Sequence, residues 1–379
     1  MPMVVHHYFP LGSTNVGDHL VARAIRDAVR RHFGPAKFVD LPVNDRYRDG
    51  HRPIGLRGEN LDRTNAEADL VIIGGSNLLE PRKPRRGRGG WGVFTDVDSI
   101  RRLRPPLLLL GMGTGSSFGK RIRRYYPPAL DEVRLLHQKA FASAVRDVTT
   151  VRKLAEIGVS CSCTGCPVTF LTDGRVAAAD RNLPLIVSFP PPRIVERFGG
   201  PRFMRQAMSY ISSLHARRHQ IVVTLHDAID VEPAKQWVPR GIEVFHTDDL
   251  DALIARFDAS RGVIGFRLHA ALLGLGLGKP VIPIGVDWRG LAFIETIDPG
   301  HSISTRAHRF GQFAKLEALT DRLLRDDLAL IAHLAREKAK LLESYHAFLS
   351  SAARRFHQTN VAEPLIAAGG SLRNGSASS

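Results

Sequence analysis

The chain is short of cysteine, aromatic residues, acidic charge and long apolar runs, and each shortage excludes something. Its 379 residues include three cysteines, Cys161, Cys163 and Cys166. A secreted scaffold held by disulfides would carry more of them, spread along the chain. The spacing Cys-x-Cys-x-x-Cys lacks the second cluster and the nearby histidine that a zinc site needs, so we expect no metal and read Cys166 as a small buried residue at a strand start. The longest apolar run, PPLLLLGMG, falls far short of a membrane span. The N-terminus, MPMVVHHYFPLGS, lacks the basic stretch and long apolar stretch of a signal peptide. The expected location is therefore cytoplasmic, extending to the inner face of the cell membrane. Aromatic residues make up 7% and are not interleaved with the basic runs, which argues against a specific nucleic-acid surface. Acidic residues number 37 against 53 basic ones, a net charge of +16. Such a field favours polyanions: acidic glycans, anionic headgroups or phosphorylated small molecules.

What is present is a repeated alternation of strand and helix. MVVHHYF (3–9), KFVDL (37–41), DLVIIGG (69–75), PLLLLGMG (106–113) and KAFASAVRD (139–147) read as strands. Several are continuous apolar runs, as expected of parallel strands buried on both faces. Between the first two, Leu20, Val21, Ala24, Ile25, Ala28, Val29 and Phe33 share one helical face. After a polar, proline-bearing stretch a second series follows, with strands at 183–189, 220–225, 242–246, 262–266 and 279–285. The expected fold is α/β, two doubly wound Rossmann-like domains facing across a cleft, with ligands at the carboxyl ends of the strands. We place the first domain at 1–176, on the acceptor side, and the second at 177–345, on the donor side. A C-terminal helix, 346–366, would pack back on the first domain, and 367–379 would form a disordered tail.

Five turns at strand ends carry polar residues suited to chemistry. The first holds Asn15, Gly17 and Asp18, the last also suiting a helix N-cap. The second holds Gly75 and Ser76. The third, GMGTGSSFGK, holds Gly113 and Thr114 and has the composition of a phosphate cradle without the Walker spacing. The fourth holds Arg146, with Thr149 as the expected cap of the next helix. The fifth is Arg267-Leu268-His269, where an arginine and a histidine flank a helix start and suit an anionic ligand and proton transfer. Basic runs at 81–91, at Arg101, Arg102 and Arg104, and at 120–126 would rim the cleft and suit peripheral contact with an anionic membrane.

Taken in order, NVGDHL, DLVIIGGSNLL, LLLLGMGTG, AVRDVTTVRKL, TGCPVTFL, GFRLHAALLGLGLGKPVI and GVDWRGLAFI resemble the polysaccharide pyruvyl transferase family over residues 4–297. The resemblance implies a fold like the two-domain glycosyltransferases of the GT-B type. It implies transfer of the enolpyruvyl unit of phosphoenolpyruvate to a sugar of a surface polysaccharide or its precursor, as a ketal, without metal or nucleotide cofactor. By the same resemblance His269 and Arg146 hold phosphoenolpyruvate, and Arg267-Leu268-His269 is the family's motif. The chemistry of ketal formation further suggests that His269 anchors or protonates phosphoenolpyruvate, that Arg146 and Arg267 hold its carboxylate or phosphate, and that Asp18 accepts a hydroxyl proton. The acceptor would be a saccharide, acidic or lipid-linked. Two alternatives stay open: a nucleotide-sugar glycosyltransferase of the same architecture, for which Glu295 is a ribose-binding candidate, and a basic nucleic-acid-binding protein.

Overall fold

The computed structural model describes residues 2–44, 54–81, 91–115, 125–178, 180–192, 200–300, 304–306 and 312–369. Two six-stranded parallel sheets organise the chain. The first contains β1 (Met3–Phe9), β2 (Ala36–Pro42), β3 (Leu70–Gly74), β4 (Leu107–Met112), β5 (Ala142–Val145) and β6 (Ser162–Cys163), in the spatial order β2-β1-β3-β4-β5-β6. The second contains β7 (Leu185–Ser188), β8 (Ile221–Thr224), β9 (Glu243–Phe245), β10 (Gly262–Gly265), β11 (Val281–Gly285) and β12 (Thr305–Arg306), in the order β12-β11-β10-β7-β8-β9. Both sheets are doubly wound, as expected. Strand order reverses between β1 and β3 in one sheet and between β7 and β10 in the other. Loops diverge at such reversals and leave a crevice beyond the carboxyl ends of the strands.

The helices are α1 (Val16–Phe33), α2 (Gly58–Glu67), α3 (Val97–Arg102), α4 (Pro127–Lys139), α5 (Val148–Ala155), α6 (Gly200–Ala216), α7 (Val231–Trp237), α8 (Leu250–Asp258), α9 (Leu268–Gly276), α10 (Trp288–Ile297), α11 (Gln312–Leu324) and α12 (Leu328–Gly369). Side chains on the central strands are buried on both faces, which is why those strands read as unbroken apolar runs. Val71, Ile73, Leu107 and Leu109 join one core, while Ile72, Leu108 and Leu110 turn toward α1. The α1 core is continuous with residues of α9 and α12, so the two domains share apolar packing. The α9 helix is apolar around its whole circumference and buried accordingly.

The chain crosses between domains twice. The first crossing follows the 3-10 turn Pro167–Phe170. Cys166 stands before that turn, buried, and not at the start of a strand. The second crossing is α12. Its His333 bonds the Ile297 carbonyl in the second domain, whereas its Tyr345 stacks on Phe170 and its Phe356 meets Phe33 edge-on in the first. Between these, buried Lys338 donates to the Gly174 carbonyl at 2.8 Å and the Gly276 carbonyl at 3.1 Å. One ammonium therefore joins the linker, α12 and the C-terminus of α9, where the helix dipole favours a cation.

Candidate functional site

The turns after β3, β4 and β5 of the first domain bond to one another, while the turn after β1 bonds across to the second domain. After β1, Asn15 caps α1 by accepting the Gly17 amide at 2.9 Å. Asp18 is not the cap; it lies in the first turn of α1, buried, and accepts the Ser13 hydroxyl at 2.8 Å. After β3, Gly75 and Ser76 take positive φ values of 75° and 54°, which tighten the turn. The Ser76 carbonyl accepts the Gly113 amide at 3.0 Å and so ties the β3 turn to the β4 turn. The Thr114 amide donates to the Thr150 hydroxyl at 3.0 Å, and that hydroxyl donates to Asp147 at 2.8 Å. Asp147, not Thr149, caps α5.

Arg146 lies at the centre of these turns, 4% exposed. Its guanidinium donates to Asn77 Oδ1 and stands 3.5 Å from Asp147. It passes so close to Gly113 that a Cβ there would lie 2.5 Å from Nε. Glycine at that position makes room for the guanidinium, a packing reason independent of backbone conformation.

The second domain contributes the β10–α9 turn. The Arg267 amide donates to the Ser188 hydroxyl at 2.9 Å, and its guanidinium forms a buried ion pair with both oxygens of Asp230. That pairing braces the turn from within the domain. Burial raises the Asp230 carboxyl to about 6 despite the opposing pull of Arg267. Leu268 packs against the shared core. His269 is 6% exposed, and its ring lies directly over Gly17 of the other domain. A Cβ on Gly17 would fall 1.9 Å from His269 Nδ1. Among the described residues no hydrogen bond engages the imidazole. Burial, then the charges of Arg289, Arg146, His226 and Arg267, hold it well below its ordinary pKa. The ring is thus neutral when the site holds no anion, and an anion between those arginines would offset the field and favour its protonation.

Further contacts hold the domains together around this point. The Val16 amide donates to the His226 carbonyl at 3.0 Å, and Thr14 Oγ1 donates to Asp227 at 2.9 Å. On the other flank the Val148 amide meets Thr296 Oγ1 at 3.2 Å, and Glu295 accepts Thr149 Oγ1 at 3.0 Å and pairs with Arg152. Glu295 is therefore engaged with the first domain.

Asn77, His226, Asp230 and Arg289 belong to this constellation, although the pattern of the strand-end turns does not single them out. Asn77 directly follows a selected residue, and Arg289 sits in GVDWRG, an Asp-capped helix start at a strand end. Those were the available signals. His226 is buried, its pKa pushed down to about 3 by burial and by Arg267 and His246, and neither ring nitrogen has a partner among the described residues.

Arg101, Arg102 and Arg104 do not rim the cleft. They precede β4, at the edge of the sheet opposite the site, near Asp62 and Lys139. A helix-to-strand loop and a strand-to-helix loop look alike in composition, so the basic residues alone do not say at which end of the sheet they lie. Residues 82–90 and 116–124, including Ser116, Ser117 and Lys120, lie outside the described residues. Among the described residues no three His, Cys, Asp or Glu side chains are grouped to hold a metal, the three cysteines are free, and no helix is long and apolar enough to cross a membrane.

Comparison with known proteins follows the same lines. The family model for polysaccharide pyruvyl transferase matches residues 15–287. No curated protein matches the sequence. Among solved structures, a Listeria monocytogenes protein described as a UDP-N-acetylglucosamine 2-epimerase superposes with a TM-score of 0.51 at 12% identity, over 94% of each chain. The sucrose-phosphate synthase of Thermosynechococcus elongatus has a TM-score of 0.49 at 13% identity, over 97% of this chain and 100% of that one. The glycosyltransferase SnogD of Streptomyces nogalater has a TM-score of 0.43 at 13% identity, over 95% and 100%. The likeness to the Listeria protein is one of fold, and it fits the two parallel-sheet domains expected from the sequence.

Proposed function

The chain belongs to the polysaccharide pyruvyl transferase family, and from that premise we propose that it transfers pyruvate from phosphoenolpyruvate to a saccharide hydroxyl pair, forming a ketal. The observation that carries the reading is His269: a buried, neutral imidazole from one domain, lying on Gly17 of the other and acted on by Arg146 and Arg289. A trianionic donor is the kind of ligand such a site recruits, because it supplies the charge those arginines lack.

The reaction needs a proton on C3 of the enolpyruvyl group, which turns the methylene into a methyl and leaves an oxocarbenium-like centre at C2. One acceptor hydroxyl adds to C2 and loses its proton. The C2–O bond to phosphate then breaks, and the second hydroxyl adds and loses its proton. One proton enters at C3 and two leave the hydroxyls, so one departs with phosphate. His269 is the group whose protonation follows donor binding, which suits it to deliver the proton at C3. Asp18, at the N-terminus of α1 in the same cleft, is the candidate acceptor of a hydroxyl proton. Asn77 and Asp147 fix the direction of Arg146 on the donor.

The test is His269→Ala. We expect loss of phosphate release from phosphoenolpyruvate with an unchanged melting temperature, and loss of the pyruvate ketal from the cell's surface glycan by mass spectrometry. A variant that still releases phosphate at the wild-type rate overturns the assignment. Nucleotide release from a sugar donor, with no response to phosphoenolpyruvate, would overturn the donor itself.

A further inference from the structure

Two histidines meet where α12 lies against the last turn of α1. His32 Nε2 stands 3.0 Å from His346 Nδ1. The outer ring nitrogens are also engaged: the Ser350 hydroxyl lies 3.3 Å from His32 Nδ1, and Asp173 Oδ1 lies 3.6 Å from His346 Nε2. Ser350, His32, His346 and Asp173 thus form one chain, which runs from α12 to α1, back to α12 and on to the linker. Such a chain limits the protons it can hold. Of two facing ring nitrogens, one must carry the hydrogen and the other the lone pair. With both rings neutral the contact is a hydrogen bond. One added proton is accommodated: His346 becomes the cation beside Asp173, His32 turns its lone pair toward it, and Ser350 accepts the hydrogen then on His32 Nδ1. A second added proton puts a hydrogen on each facing nitrogen, and the two cations repel.

The surroundings offer little to offset that charge. The ionisable groups packed around the pair are Asp27 and Arg31 on α1, Asp173 on the linker and Tyr345 on α12, with Lys338 acting on Asp173 from further along α12. Asp27 is engaged by Arg23 and Arg30, and Asp173 is shared with Arg31 at 3.1 Å. The two histidines also border a cavity of about 30 Å³ whose walls include Ala24, Ala28, Pro167 and Leu171, an apolar lining that does not solvate a cation. Burial, then His346 and Arg31, hold the His32 pKa below its ordinary value against the pull of Asp173.

We propose that His32 and His346 form an acid-sensitive clasp, which holds α12 on the first domain while the pair carries at most one added proton and lets it go when the pair carries two. The same helix is held to the second domain through His333, so the clasp is one of the fastenings between domains. Without it, the first domain keeps α12 through the stacking of Tyr345 on Phe170, the edge contact of Phe356 with Phe33 and the Ser344 bond to Cys163. A released imidazole takes up its proton near the ordinary value of about 6.5, whereas the clasped His32 resists it. Acidification below that point therefore favours release, by up to about tenfold per pH unit for one proton, and the bias fades above it.

The experiment is hydrogen–deuterium exchange of the full chain between about pH 7.5 and 5.5, an interval that brackets free histidine. Rates are corrected for the intrinsic pH dependence of exchange. Peptides covering 340–358 are read against α6 as an internal reference. In wild type, exchange around His346 should rise roughly tenfold or more over that interval relative to α6. His32→Gln and His346→Gln each leave a single imidazole facing a neutral amide that can still hydrogen-bond, so the rise should vanish in both. Should either substitution loosen α12 at neutral pH, the slope still decides, because the change with pH and not its level reports the paired rings. A wild-type helix that does not respond to acid overturns the proposal. A rise that persists in both variants also overturns it, by placing the acid response elsewhere. A rise lost in only one variant overturns the pairing, because a single titrating histidine then accounts for the release.

Discussion

Substitution of Gly17 by alanine sets two physical rules against each other. Gly17 is the second residue of α1 and has no positive φ that would demand glycine. Helix propensity alone therefore favours alanine, by up to about 1 kcal/mol. Packing opposes it. The new methyl would lie 1.9 Å from His269 Nδ1 and 2.2 Å from its Cγ, against an ordinary contact of about 3.5–4.0 Å. The ring or the domain behind it must move by well over 1 Å. Overpacking of this kind costs about 1–3 kcal/mol, which exceeds the propensity gain. A reacting group displaced by about 1 Å loses on the order of a hundredfold in rate. Gly17→Ala should therefore melt lower than wild type and release phosphate from phosphoenolpyruvate roughly a hundred times more slowly. Thermal melts followed by circular dichroism and a coupled phosphate assay read the two effects separately. A variant that melts at or above the wild-type temperature and turns over normally would refute the idea that this backbone is a seat for the imidazole.

Two further outcomes test the supports of the site. Asp230→Ala leaves the buried Arg267 guanidinium without its partner and should cost about 3–5 kcal/mol in a urea titration; a loss within the range of ordinary surface substitutions would mean that the pair does not brace the turn. Lys338→Met tests the junction of linker and α9. Burial lowers the Lys338 ammonium from 10.5 to about 8 in the folded chain. Between those values the unfolded chain holds a proton that the folded chain has shed, so wild-type stability should rise with pH from 8 toward 10.5, by at most about 1.4 kcal/mol per unit. The methionine variant should lack that component of the slope, and parallel slopes in the two proteins would refute the assignment.

The architecture was legible because parallel strands buried on two faces must be apolar throughout, and they recur at spacings that only crossover helices fit. β12, two residues long, carries no such pattern. His269 stood out as a candidate because a histidine in the first turn of an otherwise apolar helix, just after an apolar strand, has no packing reason to be there. The role of Arg267 was not, since its partner Asp230 lies in a separate 3-10 turn and no local spacing connects them. Arg289 was hidden for a different reason. An aspartate followed two residues later by arginine is an ordinary helix start, and only its approach to Gly115, across the cleft, sets it apart.

The double crossing of the chain has a mechanical consequence. A body joined to another by one strand can swivel about any axis, whereas two joins define a line. Here one join is the stretch after Phe170 and the other is α12, which is helical from Leu328 to Gly369. They lie side by side where Lys338 and Ser344 fasten α12 to Gly174 and Cys163. Two joins of this kind favour a book-like opening about that spine over a twist that would slide one page past the other.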